Sequence, residues 1–274
     1  MMSSEINTIL KSVIERITPK EDHSSSVKQF TEALERELSA QGTEAEVFIG
    51  GSYAKNTHIG DVFDCDIFVR FKSADSDLSD TLEEVIKNIA ASQKVSYERI
   101  HGSRDYFQIP SDKITFEVVP VKHITSIEEA ENIMDCSPFH VKWAKEEISQ
   151  KKLADDIRLM KQFLKAAGTY GAESYIRGFS GHVNDVLVLH YEGFLAALKS
   201  IAKWPRNPNR DKKVVIDYTN AYKGQDVTFF LNESKIQSPV IVVDPVDKNR
   251  NAAAALDVDC YHKTIDYAAS FLKR

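Results

Sequence analysis

The sequence predicts an α+β protein in two parts, each mixing helices with a few strands. Three observations carry the prediction. At 274 residues the chain is long for one compact unit, so two packed domains are expected. Helical stripes and short β-branched runs recur in both halves. The composition, 42% hydrophobic and 28% charged, belongs to a chain able to bury a sizeable core. The boundary is expected near residue 125, giving domains 1–125 and 126–274, with a cleft between them.

The opening MMSSEINTILKSVIERI mixes charges into a helical pattern, unlike a signal peptide, and no apolar run is long enough to span a bilayer. Residues 24–41 put Val27, Phe30, Leu34 and Leu38 on one helical stripe, with serines to cap it and Gly42 to stop it. AEVFIG, 45–50, reads as a strand; a loop through Asn56 and Gly60 leads to a second strand over 64–71. Residues 78–91 are an amphipathic helix through Leu82, Val85, Ile86 and Ile89. Strand-like runs follow at 94–99, 104–109 and 114–121, the last (ITFEVVPV) strongly β-prone.

Past the boundary, Ser137 and Pro138 look like an N-cap and first-turn pair opening a helix. Residues 152–167 form another, through Leu153, Ile157, Met160 and Leu164, stopped by Gly168. Residues 181–202 read as one long helix. KVVIDY (213–218), DVTFFL (226–231) and PVIVVD (239–244) are β-like, and WPRNPNRDKK before them is an exposed loop.

The net charge of −6 counts against indiscriminate nucleic-acid binding and still leaves room for a local basic groove. Cys65, Cys136 and Cys260 are odd in number, far apart and without metal-ligand spacing. That fits a reducing cytoplasm and argues against a disulfide framework or structural zinc.

The chemistry concentrates in residues 50–66, GGSYAKNTHIGDVFDCD. On a strand, Asp64 and Asp66 share a face while Cys65, Ile67, Val69 and Phe71 take the other. Two adjacent carboxylates repel unless a cation lies between them, and Mg²⁺ prefers such oxygens together with substrate phosphates. Taken alone, the pair is equally well a solvated strand edge. Gly50 and Gly51 let backbone amides approach a phosphate, with the Ser52 hydroxyl and the Lys55 ammonium beside them. Glu117, the one acid in ITFEVVPV, is the candidate third carboxylate, since an unpaired charge in an otherwise buried run is costly. Three such acids can hold two Mg²⁺ ions, the arrangement of nucleotidyl transfer.

Four further segments carry a resemblance: SPFH at 137–140, LMKQFLKAAGTYGAE at 159–173, IRGFSGHVNDVLV at 176–188 and VVDPVDKNRNAAAAL at 242–256. With the glycine-serine and Asp-x-Asp elements, they make the sequence resemble the class I, archaeal-type CCA-adding enzymes. These are tRNA nucleotidyltransferases of the DNA polymerase β-like superfamily. The resemblance implies a polymerase β-like catalytic domain followed by a central α+β domain that binds nucleotide and the RNA 3′ end. It implies metal-binding, catalytic roles for Asp64, Asp66 and Glu117, and triphosphate contacts for Gly51, Ser52, Lys55, Lys161 and Tyr170. His140 and Arg250 resemble positions that meet the incoming nucleotide, and Asp185 matches an acidic position.

A lysine beside an apolar stripe either reaches solvent or serves a ligand, and read without the resemblance Lys161 is one that reaches solvent. His140 is by default a surface or capping histidine, Tyr170 a packing residue, and Arg250 a solvated arginine in a polar turn. Arg104-Asp105-Tyr106 stands where the family carries a histidine-containing segment, and no role passes to His101.

The implied activity is template-independent addition of C and A to the tRNA 3′ end from CTP and ATP, releasing pyrophosphate, in the cytoplasm and away from membranes. Family members are longer, continuing into domains that grip tRNA. The resemblance therefore also allows a homodimer or a partner subunit supplying that part. The same chemistry with another acceptor is the alternative: partial CC- or A-addition, a tRNA-modifying toxin, or a nucleotide second-messenger synthase.

Overall fold

The computed structural model describes residues 2–73, 77–102, 104–208 and 212–273, with side chains from residue 5 onward. The chain divides into two compact units, Ile17–Lys142 and a second composed of Met1–Arg16 with Trp143–Arg274. The division thus falls later than the expected residue 125, inside a helix, and the first helix groups with the carboxy-terminal half.

In the unit Ile17–Lys142, helix α2 (Ser24–Ala40) precedes strand β1 (Ala45–Ile49), a single helical turn α3 (Gly51–Ala54) and strand β2 (Phe63–Phe71). Helix α4 (Leu78–Gln93) and strands β3 (Glu98–Ile100), β4 (Tyr106–Ser111) and β5 (Ile114–Lys122) complete a sheet of order β1-β2-β5-β4-β3. The β2–β5 pair is parallel and the others antiparallel. One face takes Cys65, Ile67, Val69, Phe107, Ile109, Phe116 and Val118 against the stripes of α2 and α4. Phe30 stacks on Phe116 with ring centroids 4.0 Å apart. The opposite face is divided along its length. Phe68, Val119 and Val121 are covered by Val141 and Met134, whereas Asp64, Asp66 and Glu117 on the same face remain at least partly exposed.

The second unit contains α1 (Met2–Ile17) and α5 (Ser137–Lys151, from Trp143 on). It continues through α6 (Ala154–Ala167), α7 (Gly181–His190), α8 (Phe194–Ile201), the parallel pair β6 (Val214–Ile216) and β7 (Val240–Val242), and α9 (Val258–Leu272). Trp204 stacks on Tyr261 at 5.6 Å, and Phe163, Phe194 and Phe271 meet edge to face. Gly168 ends α6 in the left-handed conformation, as the sequence predicts.

Four local expectations are corrected. The single helix over 181–202 is two, because Glu192 and Gly193 take positive φ and the Asp156 carboxylate accepts the Phe194 N–H at 2.8 Å, starting α8 afresh. DVTFFL is a 3-10 turn, since Asp226 captures the Thr228 N–H (2.9 Å) that a ladder would use. Ser137 is not an N-cap: it follows in helical conformation on a 3-10 turn (Ile133–Cys136) that Asn132 caps through a capping box with Asp135, and α5 runs on from that turn. The strand expected at 94–99 begins only at Glu98, after Lys94 closes α4 in the left-handed conformation.

Candidate active site

Parallel pairing of β2 and β5 sets Asp66 opposite Glu117 and Asp64 opposite Thr115. Paired residues share a face, so Asp64, Asp66 and Glu117 stand together on one side of the sheet. Their neighbours Cys65, Ile67, Phe116 and Val118 are buried on the other. The Cys65 thiol beneath them is pushed up to about 12, by burial first and then by the charge of Asp66.

The glycine loop lies directly on this group. Gly50 donates its N–H to the Asp66 carbonyl at 2.8 Å. Gly51 has φ +57°, and a Cβ there would lie 1.6 Å from Asp66 Oδ2; one at Gly50 would lie 2.3 Å from the Phe68 ring. The glycines therefore make room for a carboxylate and a core ring, a steric role beyond the phosphate approach expected of them. Ser52 sits in α3 and Lys55 follows it. The turn is closed by the Thr57 N–H on the Ser52 carbonyl (2.8 Å) and by Tyr53 stacked on Phe63 (5.3 Å). Hard carboxylate oxygens on one face, beside a residue with no Cβ, fit a divalent cation such as Mg²⁺.

The end of β5 is tied to the helix bearing His140. Asp135, with a fully buried side chain, accepts the Lys122 N–H (2.8 Å), the Asn132 N–H (3.0 Å) and Arg104 Nη1 (2.5 Å). His140 follows on the first turn of α5, partly exposed. Arg104 and Asp135 had no role in the sequence reading.

In the second unit, Lys161 and Tyr170 come together, with the ammonium 5.5 Å from the ring centroid and Lys165 at 5.7 Å. A Cβ on Gly181 would lie 2.9 Å from Tyr170 Oη, so the hydroxyl rests against the first turn of α7, whose Ser180 cap accepts the Val183 N–H at 3.2 Å. Lys161 is thus not merely a lysine reaching for solvent. The same turn carries His182, whose Nε2 is 3.6 Å from Asp244 Oδ2.

Arg250 is not a freely solvated arginine either: its guanidinium donates to Asp244 Oδ2. Asp244, almost wholly buried, also accepts the N–H groups of Val246 (2.9 Å) and Asp247 (3.2 Å), and its own N–H donates to the Arg250 carbonyl (3.0 Å). Asp185 is buried within α7.

Of the residues singled out from sequence, Gly51, Ser52, Lys55, Asp64, Asp66, Glu117 and His140 belong to the unit Ile17–Lys142, and Lys161, Tyr170 and Arg250 to the other. Sequence reasoning missed Gln108, whose Nε2 donates to Glu117 Oε1 at 2.7 Å, and Asp244. The signal for Asp244 was an acid closing the buried run VIVV. Gln108 gave none.

Residues 2–145 match the model of the second messenger oligonucleotide or dinucleotide synthetase domain, and residues 155–274 that of the second domain of tRNA nucleotidyltransferase. A CCA-adding enzyme of Nanoarchaeum equitans is 39% identical over 88% of this chain and 59% of its own length. That of Methanocaldococcus jannaschii is 33% identical over 100% of this chain and 61% of its own. The chain thus spans about three fifths of these relatives.

Among solved structures, a cytoplasmic RNA terminal U-transferase superimposes with a TM-score of 0.72 at 11% identity, over 99% of this chain and 94% of that one. The ATP complex of CdnC from E. coli MS115-1 gives 0.65 at 16%, over 96% and 88%. At such identities these likenesses speak to the fold, which is the polymerase β-like nucleotidyltransferase fold. With its model matched over residues 2–145, more than half of the chain, the chain belongs to the family of the second messenger oligonucleotide or dinucleotide synthetase domain, and it is similar to archaeal CCA-adding enzymes along nearly all of its length.

Proposed function

We propose that this chain catalyses template-independent nucleotidyl transfer, adding C and A residues to the 3′ end of tRNA from CTP and ATP. The observation that carries the reading is the register of Asp66 against Glu117 beneath a glycine that a Cβ would drive into the Asp66 carboxylate. The RNA 3′ hydroxyl attacks the α-phosphorus, a new P–O bond forms, and the bond to the β-phosphate oxygen breaks to release pyrophosphate. Mg²⁺ ions bound by Asp64, Asp66 and Glu117 would supply activation of the hydroxyl and neutralisation of the departing pyrophosphate.

The chain's own groups do the rest. Gly51, Ser52 and Lys55 offer amide, hydroxyl and ammonium to phosphate oxygens. Lys161 and Tyr170, beside the positive end of α7, suit the triphosphate. The Arg250 guanidinium, anchored on Asp244, has a planar donor edge suited to a base, and His140 is the second candidate for nucleotide choice. The labour divides accordingly, with the acids, Gly51, Ser52, Lys55 and His140 in the earlier part and Lys161, Tyr170 and Arg250 in the later one. Three buried cysteines, none of them in a disulfide, support a reducing cytoplasm. Among the described residues no helix is long and apolar enough to cross a membrane.

The test is direct. Purified chain with Mg²⁺, CTP, ATP and tRNA lacking its CCA end is expected to yield RNA extended by C and A, read by sequencing the 3′ ends. No extension overturns the proposal. A second reading, a nucleotide second-messenger synthase, is favoured by the family model matched over residues 2–145. It predicts a labelled product from nucleotides without RNA.

A further inference from the structure

We propose that Gln108 is a positioning residue for the third carboxylate, Glu117. The inference rests on the reading of Asp64, Asp66 and Glu117 as cation ligands.

Two registers define its place. Asp66 pairs with Glu117 across β2 and β5, and Glu117 pairs with Gln108 across β5 and β4. Asp66, Glu117 and Gln108 therefore form one row on the face that carries Asp64. At its near end the row is closed by Gly50, whose N–H bonds the Asp66 carbonyl. Within it Gln108 Nε2 donates to Glu117 Oε1 at 2.7 Å. A glutamate has three side-chain torsions, the last of them broad, so an unanchored carboxylate swings. One short hydrogen bond from a side chain on the adjoining strand removes much of that freedom.

The identity of the donor matters as much as its position. An acid at 108 would be a further negative charge in a row that already holds Asp66 and Glu117. A lysine would orient Glu117 equally well, but would also neutralise it and compete with a cation. A primary amide donates one N–H to one oxygen and leaves the carboxylate its charge. Groups that hold a metal's ligands in this way tune affinity without touching the ion, and their loss typically weakens binding or activity by about 10–100-fold.

The alternative role is purely architectural, joining β4 to β5. The backbone ladder already joins them over five residue pairs from Phe107–Val118 to Ser111–Ile114. A Gln108→Leu variant keeps that ladder and removes the donor; Gln108→Lys keeps a donor and adds a positive charge.

The experiment titrates Mn²⁺ into the full chain, without and with α,β-methylene-CTP. Bound ion is read by electron paramagnetic resonance, beside the thermal midpoint of each variant. Both variants are expected to keep the wild-type midpoint within a few degrees and to bind Mn²⁺ about tenfold or more weakly. In RNA extension, the Mg²⁺ concentration for half-maximal rate should rise by a similar factor, with the nucleotide KM at saturating Mg²⁺ retained. Wild-type Mn²⁺ affinity in Gln108→Leu overturns the proposal, even if Gln108→Lys binds weakly, because charge alone then explains the effect. A lowered midpoint with unchanged Mn²⁺ affinity assigns the residue to architecture. If the wild type binds Mn²⁺ and loses it in Asp66→Asn but extends no RNA, the functional reading fails while the role of Gln108 is still decided. If the wild type binds no Mn²⁺ in either condition, both fall.

Discussion

At the scale of single residues, the site depends on side chains whose surroundings fix them in place. Asp66 has a neighbour without a Cβ on one side and Glu117 across the ladder on the other. We predict that Asp66→Asn and Asp64→Asn each reduce nucleotide transfer below detection, while circular dichroism and the thermal midpoint stay near wild type. Normal turnover in either variant would remove it from the ligand set. Arg250 needs a more careful experiment. Removing it takes the guanidinium from Asp244, whose side chain is at 0% exposure, so Arg250→Ala is expected to lower stability as well as selectivity. Arg250→Lys keeps the charge and loses the planar fork. In the lysine variant, preference for CTP and ATP over GTP and UTP should fall by about tenfold, the worth of one hydrogen bond to a charged group. Unchanged preference assigns Arg250 to holding the DPVDKNR turn alone.

At the scale of elements, two junctions decide where functional side chains end up. Asp135 holds the end of β5 and the entry to α5 through backbone N–H groups and Arg104. Asp135→Ala would strand Arg104, itself only 15% exposed, together with those N–H groups. A loss of about 3–5 kcal/mol is expected, measured by urea unfolding. A loss below 1 kcal/mol would mean that the loop simply rehydrates. The other junction is the pair of clusters meeting at the first turn of α7, where Gly181 adjoins the Tyr170 hydroxyl and His182 adjoins Asp244. Helical periodicity could not reveal it, because periodicity describes one face of one helix and says nothing of what its first turn abuts. The same blindness merged α7 and α8. Their apolar residues continue through the break, and the break is made by Asp156, far back in the chain.

At the scale of the whole molecule, pH is the variable that the fold couples to stability. His190, at the end of α7, is held below its usual pKa by burial, with the Lys151 charge adding to this and Asp217 opposing it. A depressed folded pKa means that the unfolded chain takes up the proton first. The contribution is intact above the unfolded value of about 6.5 and is lost as pH falls through the folded one. The thermal midpoint of the wild type should therefore drop more steeply between pH 7 and pH 5 than that of His190→Gln. Parallel profiles would clear His190 of the role. The net charge of −6 makes salt a second variable. On the proposed reading, contacts to RNA phosphates would come from local cationic groups such as Lys165, acting against the field of the whole chain.

Sequence alone determined what depends on neighbours a few residues apart. The two-residue repeat put Asp64 and Asp66 on one face and Cys65 on the other, the helical stripes of α2 and α4 named their buried residues, and Gly168 marked the end of α6. Tertiary structure decided the relations between distant segments, because strand register is fixed by how whole faces bury and not by any local preference. That is why Glu117 stands opposite Asp66, why Gln108 bonds Glu117, and why Asp244 holds Arg250. It is also why Gly51 must lack a Cβ. The residue it would strike lies fifteen positions further along the chain, and only the folded sheet brings the two into contact.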